Sequence, residues 1–241
     1  MADINTYQTA AQIIEDAAVE CGLSRPADVY ASTDSAIVQM RQLLTTCGQE
    51  LLTSFEWPHL IREYTITTGL ADTGEYTLPS DFGYMIEQTG WNRTDQERLI
   101  GGLTPQIWQY LLAQTTDPIT VSFRMAEGEF WVYPQPPVSG LTIAFEYVTL
   151  GWVYDADGVT LQDHPDANSD VIRYNPLMMR QMLKLRFLEA RGFETGKAED
   201  RFAATYERVT GRAVSSPVLQ MAGGSNLRLI DFNNVNDRGF G

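Results

Sequence analysis

A chain of 241 residues with 44% apolar content is long enough to bury one large core or two small ones. Its formal net charge of −14 argues against wrapping nucleic acid, because phosphate binding needs exposed Lys and Arg. No run of about 18 apolar residues occurs, so no membrane-spanning helix is expected, and Met1-Ala2-Asp3-Ile4-Asn5 has neither the basic nor the apolar part of a signal peptide.

The first helix is predicted from Thr6 to Cys21, where Tyr7, Ala10, Ile13, Ile14, Ala17 and Cys21 recur at three- and four-residue steps; Gly22 stops it and Pro26 follows. A second helix is predicted from a cap at Thr33 or Asp34 to Phe55, with Ile37, Met40, Leu44, Cys47, Leu51 and Phe55 as its apolar stripe. Trp57-Pro58 ends it. From Arg62 to Ile172 the period becomes two. Strands are expected at 62–67 and 74–79, and a hairpin at 120–133 around Glu127-Gly128. Leu141, Ile143, Phe145 and Tyr147 mark a half-buried strand. One short helix interrupts this region, capped by Thr104 with Pro105 in its first turn. Helices then return: Asn175-Pro176 opens one, Gly192 closes it, and the next carries Ala198, Phe202, Tyr206 and Val209 before Gly211.

The fold class is therefore α+β. An α-helical bundle is expected from residues 1–61 and 173–212, with an antiparallel β-rich domain inserted at 62–172 and an extended tail at 213–241. The charge follows this division: −6 over 1–61, −12 over 62–172, +4 over 173–212 and zero over the tail. The tail contains Gly223-Gly224-Ser225 and Asn233-Asn234 and has no sustained periodicity. Such a segment buries too little apolar surface to offset its conformational entropy, so its order depends on a partner surface.

Residues that carry chemistry are sparse. Cys21 and Cys47 sit in helical patterns and read as reduced core thiols. His59 reads as a cap or a packed histidine. His164, near Asp155, Asp157, Asp163, Asp166 and Asp170, matches no metal-ligand spacing and reads as part of a solvated acidic loop. Asp155-Ala156-Asp157-Gly158 has its glycine too early for a calcium loop and fits a turn between strands. Gly192-Phe193-Glu194-Thr195-Gly196-Lys197 is one residue short of a phosphate loop and lacks the following Ser or Thr. No catalytic residue, cofactor or metal is assigned. Trp57, Tyr64, Tyr76, Phe82, Tyr84 and Trp91 read as a core joining helices to strands. Trp131, Tyr133, Phe145 and Tyr147 read as core or subunit interface, with a carbohydrate-binding face as the alternative. A carboxylate hydrolase acting on cell walls is a further alternative, since 31 acidic residues make many pairs.

The joint order of these elements carries a resemblance. Two helices lead to Trp57-Pro58-His59-Leu60, then to Tyr76-Thr77-Leu78-Pro79-Ser80-Asp81-Phe82. A β-rich stretch follows, then Asn175-Pro176, a helix ending Phe187-Leu188-Glu189-Ala190-Arg191-Gly192, a further helix and a Gly/Asn tail. This resembles the head-to-tail adaptor proteins of short-tailed bacteriophages, which include the tail tubular protein A group. The resemblance implies a structural virion protein, assembled in the host cytoplasm, that forms a ring of twelve copies at the head–tail junction. The ring would join the portal to the tail nozzle and extend the DNA channel, with DNA passing without sequence-specific binding and no enzyme activity. The tail would bind the portal through Val218, Leu219, Leu227, Leu229, Ile230, Phe232 and Phe240. Its 29 residues span about 95 Å when extended, at about 3.3 Å each. The stretch Leu227 to Phe232 alternates well enough to add a strand to a partner's sheet.

Overall fold

The computed structural model describes residues 7–114 and 120–213. Its first element is a short strand, β1 (Gln8–Thr9), followed by α1 (Ala10–Glu20). Thr9 and Gln12 form a reciprocal cap. The Gln12 N–H donates to the Thr9 hydroxyl at 3.2 Å, and the Thr9 N–H donates to the Gln12 side chain at 3.1 Å. The helix thus starts later than the apolar spacing from Thr6 suggests, because Gln8 and Thr9 pair with Ile172 and Val171. Helix α2 (Ser35–Ser54) is capped by Asp34, which accepts from the Ala36 N–H at 2.9 Å. Its buried residues include Ile37, Met40, Leu44, Cys47 and Leu51, the stripe expected from the sequence. A single 3-10 turn at Pro58–Leu60 leads into the strands.

The strands and the short helix follow in order: β2 (Ile61–Thr67), β3 (Glu75–Thr77), β4 (Phe82–Met85), β5 (Trp91–Asn92), β6 (Glu97–Arg98), β7 (Ile100–Gly101), α3 (Pro105–Leu112), β8 (Ser122–Ala126), β9 (Glu129–Tyr133), β10 (Thr142–Thr149), β11 (Val153–Tyr154), β12 (Leu161–Gln162) and β13 (Val171–Ile172). One sheet runs β2-β10-β5-β6, with β4 also on β10. A second runs β3-β9-β8-β7 and a third β1-β13-β11-β12. The pairing is antiparallel except for β7 with β8, which is parallel. The β8–β9 hairpin turns at Glu127 and Gly128, with φ of 57° and 80°. Two successive positive φ angles match the right-handed twist of the strands, and glycine makes the second one cheap.

Helices α4 (Pro176–Arg191) and α5 (Gly196–Ala213) close the described chain. Asn175 caps α4 by accepting from the Met178 N–H at 3.1 Å, and Gly192 ends it in the left-handed region at φ 72°. Helix α5 continues past Gly211 to Ala213. Helix α4 packs against α1, α2 and α5, so N- and C-terminal helices form one bundle. Charge follows packing: Arg180 pairs with Asp16 at 3.2 Å, Lys184 with Glu20 at 3.2 Å and Arg186 with Glu50 at 2.6 Å. The positive balance of 173–212 thus partly answers the negative balance of the first two helices.

Two apolar cores result. The first joins the helices to Val148, Trp152, Val153, Ile172 and Tyr174. The second lies between the first two sheets, where Phe130 stacks on Phe123 at 5.0 Å and on Phe145 at 4.9 Å. Strand β10 serves both cores: Ile143, Phe145 and Tyr147 enter the second, and Val148 enters the first.

Candidate functional site

At the junction of helices and strands, aromatic rings surround a buried cation. Trp57 is buried and donates its indole N–H to the Leu51 carbonyl at 2.7 Å. Tyr174 lies edge-on to Trp57 at 5.5 Å and stacks on Trp152 at 5.8 Å. The Trp152 ring occupies the space a side chain at position 48 would need: a Cβ on Gly48 would stand 2.2 Å from it. Arg173, only 7% exposed, donates to the Gly151 carbonyl at 2.7 Å and to the His59 carbonyl, and its guanidinium lies 4.9 Å from the centre of the Tyr154 ring. Among the described residues it has no carboxylate partner. Burial lowers its pKa, but an arginine keeps its proton. His59 packs against Trp57 and Tyr174, at 5.9 and 6.0 Å between ring centres. Burial, then the charge of Arg173, lowers its pKa to about 4, so it is neutral at neutral pH. The packed-histidine reading therefore describes its place.

The segment Tyr76 to Phe82 is a structural clamp. Asp81 accepts from Arg62 at 2.7 Å, from the Thr149 hydroxyl at 2.8 Å and from the Tyr147 hydroxyl at 3.1 Å. Burial alone would raise its pKa; these hydrogen bonds outweigh that and hold it below the usual carboxylate value. The Asp81 carbonyl accepts from the Leu150 N–H at 2.8 Å. Phe82 then packs on Tyr147 at 5.4 Å. One carboxylate thus ties β2, the approach to β4 and the end of β10 together.

The aromatic residues proposed to join helices to strands divide instead. Trp57 belongs to the first core; Tyr64, Tyr76 and Phe82 flank the second; Tyr84 and Trp91 are exposed, at 41% and 42%. Of the residues considered for a carbohydrate face, Tyr133, Phe145 and Tyr147 are buried. Trp131 is half-buried, donates to Glu129 at 3.0 Å, carries Arg124 over its ring at 5.4 Å and lies 6.0 Å from the buried Trp108. These rings hold α3 on the second sheet and form no open platform. A shallow groove of about 570 Å³ does lie beside Trp91, lined also by Gln88, Gln96 and Ala144. Arg93 and Glu63 also line it and form a bidentate pair, at 3.0 and 2.6 Å.

The polar loops carry structural bonds. Asp157 accepts from the Val159 and Thr160 N–H groups, each at 2.8 Å, and from the Thr160 hydroxyl at 2.6 Å, which shapes the β11–β12 hairpin. His164 is exposed and bonded to Asp163 at 2.6 Å. Among the described residues, no group of three or more His, Cys, Asp and Glu is placed to hold a metal. Gly192 to Thr195 is the link between α4 and α5, and Gly196 and Lys197 open α5, with the Thr195 carbonyl accepting from the Ala198 N–H at 2.7 Å. Burial pushes the Cys47 thiol up to about 12 and raises that of Cys21, so neither is poised as a nucleophile. No described helix is long and apolar enough to cross a membrane. Val218, Leu219, Leu227, Leu229, Ile230, Phe232 and Phe240 lie outside the described residues.

Sequence reasoning missed Arg173, Asp81 and Gly48 as organising residues. Their partners lie 19 to 126 positions away in the chain, so no local pattern marks them. No curated protein matches the chain. A family model described as SU10 adaptor protein matches residues 8–224, which reaches from β1 through every described α-helix and into the tail. The chain belongs to the SU10 adaptor protein family, and its role is that of a structural head-to-tail adaptor of a phage.

Proposed function

We propose that this adaptor works as a homo-oligomeric ring, twelve-fold as in the tail tubular protein A group, that joins the portal to the tail nozzle and extends the DNA channel at the head–tail junction of the virion. The observation that carries the reading is the family match over residues 8–224, which takes in both the helical body and the β-rich insert. In this reading residues 1–61 and 173–212 meet neighbouring copies and the channel, and residues 62–172 form the inserted unit. The chain's net charge of −14 suits an assembly that DNA passes without sticking. Residues 213–241 are the portal-binding tail. Val218, Leu219, Leu227, Leu229, Ile230, Phe232 and Phe240 are its spaced apolar anchors, and repetition around a ring multiplies each weak contact through effective concentration.

Deleting residues 214–241 tests the reading, because it removes the tail and leaves every described helix intact. The truncated protein is expected to keep the circular dichroism and melting temperature of the full chain and to lose attachment to portal-bearing heads. Attachment at the full-length level would overturn the assignment of the tail.

A further inference from the structure

The cations of the two C-terminal helices are used differently. On α4, Arg180, Lys184 and Arg186 pair with acids of α1 and α2. On α5, Lys197, Arg201, Arg208 and Arg212 are all exposed, and among the described residues none takes an ion pair. At 3.6 residues per turn these four fall within an arc of about 60° and form a line about 22 Å long. The apolar side of α5, with Phe202, Tyr206 and Val209, packs on the first core, so folding does not use the stripe. A row of exposed cations on a chain of net charge −14 is a surface without its complement.

That complement is present on the chain itself. Residues 62–172 carry −12, and within them the stretch from Asp155 to Asp166 holds four acids and no Lys or Arg. Asp157, Asp163 and Asp166 are exposed there. We propose that the α5 stripe of one copy docks on this acidic surface of the next copy. The two patches differ, so the contact is heterologous, and a heterologous contact repeated with a closing rotation makes a ring. Opposed charges steer the encounter and fix the register more than they add affinity. Glu199, Asp200 and Glu207 are interspersed along α5, which suits a protein surface of mixed sign better than a run of phosphates. The inference rests on the ring reading above and names the patches that meet.

Charge reversal tests it with the full chain. R201E/R208E and D163K/D166K are each expected to weaken self-association tenfold or more by sedimentation velocity at about 0.1 M salt, with unchanged circular dichroism. An equimolar mixture of the two variants should associate again, because each reversed patch then meets its opposite. Raising salt to about 1 M shortens the screening length from about 10 Å to about 3 Å and should slow and weaken association of the wild type. Unchanged association of either variant alone, failure of the folded pair to recover on mixing, or a wild type that stays monomeric would overturn the inference. So would a stripe variant that keeps its association and loses binding to a short DNA duplex. All these outcomes are read separately from attachment of the wild type to portal-bearing heads, on which the adaptor reading stands.

Discussion

His59 and Arg173 are neighbours that share one burial problem. The guanidinium is charged and satisfied by carbonyls; the imidazole beside it must stay neutral. Between pH about 4 and 6.5 the unfolded chain binds a proton at His59 and the folded chain does not. Stability from this site is therefore full above about 6.5 and is lost as pH falls through the window, by up to about 3 kcal/mol. H59F keeps the ring and removes the proton, so its denaturant-measured stability should depend less on pH across that window than the wild type's. Gly48 poses a steric limit of another kind. G48A drives a methyl into Trp152 and should cost about 1–3 kcal/mol in urea unfolding. Neither role is legible in the sequence: His59 reads as packed, but its neutrality comes from burial in the fold and then from a cation 114 positions away.

Elements with local punctuation were the most readable. Asn175-Pro176 and Gly192 bound α4 as they should, since a cap, a fixed φ and a left-handed stop all act within a few residues. G192A must force that φ of 72° on an alanine, and about 1 kcal/mol of stability is the expected loss in thermal or urea unfolding. The start of α1 was less readable because Thr9 answers to Val171 as well as to its own helix. The β-rich region is legible as strands, and its hairpin turns at the Glu127-Gly128 pair that the sequence marks. The parallel β7–β8 pair and the division into separate sheets were not visible, since two-residue strands carry no periodicity.

At the scale of the molecule, the α+β class and the pairing of terminal helices followed from the order of helical and alternating patterns. The charge map was legible too, but its meaning needed the packing. The acids of 1–61 and the bases of α4 answer one another inside the bundle, while the bases of α5 do not. The tail anchors proposed above lie outside the described residues. One strand changes what the two-part description implies. Because β10 places side chains in both cores, no slack chain lies between them. A displacement of the second core is therefore carried to the helices through the backbone of one strand, as through a bracket cut from one piece.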